Sequence, residues 1–143
     1  MNRSTKTRYI IFQILVEIFK KDQNFKTVLN EYIINQNFNQ KDISFINNVC
    51  LNTMRRSMHC KLILKKFSKS SLNTNQFILL SSAIVQIVYL KIKPYAVVNE
   101  TVNVAKKIKI FPGFVNALLK NILTNLGEVS KIKIDLYDFP EWF

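Results

Sequence analysis

The chain has 143 residues, 48% of them apolar with eleven Phe, which suits one domain with a real core and excludes a disordered chain. Two Gly and three Pro disfavour a turn-rich β fold, and Gly113 and Gly127 alone cannot build a glycine-rich nucleotide or S-adenosylmethionine loop. The formal charge of +12 and pI of about 9.9 favour polyanionic partners, nucleic acid first, although Lys, Asn and Ile are also what an AT-rich coding composition would supply.

Residues 1–7 are polar and basic and are expected to be loose, with Ser4, Thr5 or Thr7 capping a first helix from about Arg8 to Lys21. Its stripe is Ile10, Ile11, Ile14, Leu15 and Ile18. A basic start followed by an apolar run superficially suggests a signal peptide. Gln13, Glu17 and Lys20 interrupt that run on one side, however, and no small-residue cleavage site follows, so a cytoplasmic protein is expected. A second helix spans about Phe25 to Asn35. Asn39 or Asp42 can cap a third, whose inward face is Phe45, Ile46, Val49, Cys50, Thr53 and Met54. Met58, Leu62, Ile63 and Phe67 make a short fourth helix before the polar loop KFSKSSLNTN.

Thr74 or Asn75 is the expected cap of a fifth helix, Phe77 to Leu90, apolar almost all round and therefore central in a bundle. At 14 residues with Ser81, Ser82 and Gln86 inside, it is too short and too polar to cross a membrane. Pro94 opens a sixth helix with Val97, Val98, Thr101, Val102, Ala105 and Ile108 inward. Pro112 and Gly113 punctuate, and a seventh helix carries Phe114, Val115, Leu118, Leu119, Ile122, Leu123 and Leu126, with Gly127 as its stop. The sixth and seventh should pack as a hairpin. Asn99, Glu100 and Asn116 interrupt their apolar faces and are expected to be buried and to tie the helices together. The whole reads as an all-α bundle of about seven helices.

Cys50 and Cys60 lie on helical patterns without a CxxC pair and read as reduced core residues. The single His59 cannot complete a tetrahedral metal site with them and reads as a surface or interhelix residue. No nucleophile–base pair or acid couple is recognisable, so neither catalysis nor a cofactor is expected. Residues 1–127 hold 19 cations and 5 acids, a charge of +14. The cations cluster in three places: Arg3, Lys6 and Arg8; Arg55 and Arg56 with Lys61, Lys65, Lys66 and Lys69; and Lys106, Lys107 and Lys109. The Arg55–Arg56 pair is the sharpest RNA-binding candidate on chemistry alone, because only four Arg exist and guanidinium binds phosphate bidentately and stacks on bases.

PYAVVNETVNVAKK, from Pro94 to Lys107, followed by GFVNALLKNI, from Gly113 to Ile122, resembles the signature of the NusB family. That family includes the antitermination factor NusB and the amino-terminal domain of RsmB-type ribosomal RNA cytosine-5 methyltransferases. Arg8, Leu15, Asp42, Arg55 and Gln86 fit weaker motifs upstream. Ile11, Asn52 and Val85 depart from the small residue, Gly and Tyr of the pattern. The FPEW ending, Phe139 to Trp142, resembles the P-x-W that follows the domain in the methyltransferases.

The resemblance implies an RNA-binding domain over residues 1–126, with 127–143 as a tail or the start of a linker to a further domain; the alternative for the tail is that Phe139 and Trp142 fold back over an exposed groove of the bundle. It favours Arg3, Lys6 and Arg8 as the RNA surface, with Arg55, Arg56, Lys106 and Lys107 as further candidates. Its partners would be ribosomal or leader RNA, with a ribosomal protein or a catalytic methyltransferase domain beside it. A helical protein-interaction module with incidental charge is the alternative from another class.

Overall fold

A computed structural model describes residues 1–132. Among them the chain forms α1 (Arg3–Lys21), α2 (Phe25–Ile34), α3 (Gln40–Arg55), α4 (Ser57–Phe67), α5 (Thr74–Ile84), α6 (Pro94–Lys107), α7 (Pro112–Thr124) and a single turn, α8 (Leu126–Val129). No strand occurs among the described residues, and the expected all-α bundle is the observed fold. The expectations about Phe139 and Trp142 lie outside the described residues.

α5 is the axis of the bundle. Every residue from Ile78 to Ile87 is buried, as its all-round apolarity requires. α1 packs against α2, α3, α5 and α6, so Ile11, Ile14 and Leu15 sit in the same core as Leu80 and Ile84. α6 and α7 form the expected hairpin across residues 108–111, and α4 and α7 cover another side of α5.

Several boundaries differ from the sequence reading. α1 begins at Arg3, not Arg8, because the Asn2 side chain accepts the Thr5 amide at 2.8 Å and caps the helix earlier. Thr5 and Thr7 are therefore buried helical residues rather than caps. Asn73 caps α5 through a reciprocal box with Gln76, so Thr74 and Asn75 fall inside the helix. Pro112 is the first residue of α7 rather than a spacer. Gly127 does not stop α7, which ends at Thr124, where the Asn125 side chain donates to the Asn121 carbonyl at 2.8 Å.

The fifth helix does not run regularly to Leu90. It passes into a π-helical segment, Val85–Tyr89, in which one extra residue per turn shifts the register. Leu90 donates back to the Val85 carbonyl at 3.0 Å, and Ile92 to that of Gln86 at 2.9 Å. The shift leaves Gln86 fully enclosed, with its amide nitrogen donating to the Ser82 carbonyl at 3.0 Å.

Candidate nucleic-acid interface

The first two turns of α1 carry the expected amino-terminal cations. Arg8 is half-buried and held from four elements. Its Nε donates to the Gln86 side-chain oxygen at 2.9 Å, and its Nη1 to the Ser4 hydroxyl at 3.1 Å. The guanidinium lies over the Phe45 ring, 5.0 Å from its centroid, and feels the negative charge of Glu100 on α6. Burial lowers the Arg8 pKa and Glu100 raises it again, and an arginine so placed stays charged at physiological pH. Its Nη2 has no partner among the described residues and remains able to donate to an incoming acceptor.

Arg3 stands one turn earlier and is exposed. Its Nε and Nη2 both donate to Asp42 in the first turn of α3, at 2.9 and 2.6 Å. Asp42 is set there because Asn39 caps α3 by accepting the Asp42 amide at 2.9 Å. Arg3, Ser4, Thr7, Arg8, Asp42 and Phe45 enclose an open cleft of about 300 Å³. A cleft with a serine hydroxyl and a guanidinium fixed over Phe45 offers phosphate contacts, and the guanidinium plane itself offers a stacking surface.

Lys6 and Lys107 lie outside the cleft lining, each over an aromatic ring. The Lys6 ammonium lies 5.8 Å from the Phe38 centroid, and that of Lys107 lies 5.5 Å from Tyr9. The contacts Thr5–Glu100 and Lys107–Tyr9 follow the same order along both helices, and the end of α6 lies beside the second turn of α1. Lys106 is exposed next to Lys107.

Arg55 and Arg56 stand elsewhere, at the α3–α4 junction. Thirteen residues separate Arg55 from Asp42, which is about 20 Å along α3 at helical rise. Arg55 is exposed, while the Arg56 guanidinium covers the Tyr89 ring at 4.4 Å. His59 meets the Tyr89 hydroxyl through Nδ1 and lies 2.8 Å from the Ile132 carbonyl through Nε2, so it bridges α4 to the chain beyond α8.

The three polar residues of the hairpin separate. Glu100 is 7% exposed and accepts from the Thr5 hydroxyl, tying α6 to α1 rather than to α7. Asn99, expected to be buried, is exposed, because Val97, Val98, Glu100, Thr101, Val104 and Ala105 already define the inward face and Asn99 falls opposite it. Asn116 is half-buried and makes no side-chain hydrogen bond among the described residues.

Sequence reasoning missed the aromatic supports Tyr9, Phe38 and Phe45, and the part of Gln86 as a ligand for Arg8. The available signal was aromatic residues at the margins of apolar faces, near cations. Among the described residues no three His, Cys, Asp or Glu side chains converge as metal ligands, and no helix is long and apolar enough to cross a membrane.

A family model described as the NusB family matches residues 5–124. No curated protein matches the chain. Among solved structures, the chain is similar to the solution structure of NusB from Aquifex aeolicus, with 20% identity and a TM-score of 0.68 over 95% of this chain and 97% of that one. That likeness bears on the fold and agrees with the arrangement of helices around α5. The match over most of the bundle, joined to this fold, establishes that the chain belongs to the NusB family, an RNA-binding family of all-α domains.

Proposed function

We propose that this chain holds RNA without transforming it, gripping phosphates at the α1 end of the bundle with Arg3, Lys6, Arg8 and Lys107. The observation that carries this reading is Arg8. A guanidinium fixed by Gln86, Ser4 and Phe45 loses little side-chain freedom on meeting a phosphate, and one of its donors is still available. Lys106 adds charge at the same end, while Arg55 and Arg56 form a separate basic corner that a longer RNA would reach.

Two settings are compatible with such a grip. The FPEW motif favours the RNA-recognition part of an RsmB-type ribosomal RNA cytosine-5 methyltransferase, with catalysis in another domain. The family and the fold shared with a NusB favour a transcription antitermination factor working beside a ribosomal protein. Comparing a ribosomal RNA fragment with a leader RNA as ligands separates the two.

Filter-binding titrations at two salt concentrations test the grip itself. Affinity should fall steeply with salt. Arg8→Gln should weaken binding about tenfold or more, in line with the loss of a charge-assisted contact. Because Arg8 also packs, the exposed pair Arg3→Gln and Lys6→Gln serves as a second variant that leaves the core intact, and it should lower both affinity and salt dependence. Absence of binding, or binding insensitive to salt, would instead favour the protein-interaction module.

A further inference from the structure

A second cationic groove lies at the other end of α1. Phe19, near the carboxyl end of α1, meets Phe77 of α5 edge to face with centroids 6.5 Å apart. Sixteen residues separate Phe19 from Arg3, which is about 24 Å along the helix. Phe77 lines an open groove of about 610 Å³ between α4, the α4–α5 loop and the start of α5.

The chemistry of this groove is layered. Lys61, Lys65 and Lys69 recur at intervals of four residues along one wall, all three exposed. Ser70, Ser71 and Thr74 supply hydroxyls opposite, at the positive end of the α5 dipole. Leu64, Leu72 and Phe77 make an apolar floor. No Asp or Glu lines the groove, unlike the α1 cleft, where Asp42 faces Arg3. The ion pair nearest in sequence, Lys66 with Glu128 at 3.3 Å, uses a lysine outside it.

We infer that the α4–α5 groove is a second RNA anchor, which takes the phosphates of a single strand on Lys61, Lys65 and Lys69 and lays a base on the apolar floor. The step from Lys61 to Lys65 on α4 advances about 6 Å, on the scale of successive phosphates in an extended strand, and Lys69 follows beyond the helix end in the α4–α5 loop. Hydroxyls and a dipole end complete a phosphate cradle, and an apolar floor accepts the face of any base. An acidic peptide would also meet the lysines, but the hydroxyl wall and the Lys61–Lys65 step fit a phosphodiester chain better. The inference rests on the RNA reading above and adds that a bound strand runs the length of α1 from one cationic end to the other.

The test compares wild type with the triple variant Lys61→Gln, Lys65→Gln, Lys69→Gln and with a control, Lys20→Gln, Lys26→Gln, Lys41→Gln. The control removes the same charge from exposed lysines outside the groove. Each is titrated with a uridine-rich single strand of roughly 20 nucleotides, long enough to exceed one binding module. The groove variant should lose about ten- to a hundredfold in affinity near 0.1 M salt, and its salt slope should fall by about 2, at about 0.7 per lost phosphate contact. The control should change far less. Equal losses in the two variants, or none in the groove variant, overturn the anchor while wild-type binding keeps the RNA reading. If wild type itself fails to bind, the RNA reading falls and the anchor with it. Polyglutamate serves as a competing probe: a groove variant that loses polyglutamate but keeps RNA would assign the groove to an acidic protein and overturn the proposal.

Discussion

Glu100 is a carboxylate enclosed within a strongly cationic protein, and its two neighbours account for it. The Thr5 hydroxyl donates to it, and the Arg8 charge lies close enough to feel it. Removing the carboxylate leaves a buried hydroxyl without an acceptor and a half-buried guanidinium without its opposing charge. Glu100→Ala should therefore cost about 1–3 kcal/mol, read as a lower urea midpoint at unchanged slope. A midpoint within error of wild type would show that water replaces the carboxylate and that this link between α1 and α6 is dispensable. At this scale the sequence disclosed the cations but not their seats. Arg3, Lys6 and Arg8 are visible as charges near one end of the chain. That Arg8 is clamped by Gln86, 78 residues away, has no local pattern to announce it. Asn99 shows the opposite limit: an amide beside apolar residues is turned outward by a rotation of one residue.

Whole elements were more legible, because helical periodicity repeats the same message over several turns. α2, α3, α4, α6 and α7 appear within a few residues of where apolar spacing puts them. The ends were less legible, since capping depends on single side chains: Asn2 and Asn73 each compete with nearby Ser, Thr and Asn. The π-helical segment could not be read, because one added residue barely disturbs an all-apolar run. The end of α6 offers a test of local conformation. Ile110 donates to the Ala105 carbonyl at 3.0 Å, closing a six-residue loop through Lys109, whose φ is 62°. Left-handed backbone at a lysine is strained, and glycine is the residue that relieves it. Lys109→Gly should raise stability by about 0.5–1 kcal/mol, the relief being partly offset by the greater freedom of glycine in the unfolded chain. A loss of stability in thermal or urea melts would mean that the lysine side chain contributes more than its backbone costs.

Across the molecule, one apolar core carries cations at both ends of α1, and its reactive groups are shut inside. Burial raises the thiol pKa of both Cys50 and Cys60, that of Cys60 to about 12. Thiols so placed are inert to alkylation. Native protein at neutral pH should react with a thiol reagent only as fast as it unfolds, whereas urea-unfolded protein should react at once; prompt labelling of either cysteine in native buffer would contradict the packing. The tie between Thr5 and Glu100 spans 95 residues of sequence. On the ribosome, α1 emerges before α6 and must wait through four intervening helices before Glu100 is made. Until then the side of α1 that α6 covers stays open, which is a period of exposure to chaperones and to aggregation. The seat of Arg8, too, is finished only when Gln86 arrives from the π-helical segment, so a nascent or prematurely released chain displays its positive charge before it has acquired the arrangement that gives the charge a purpose.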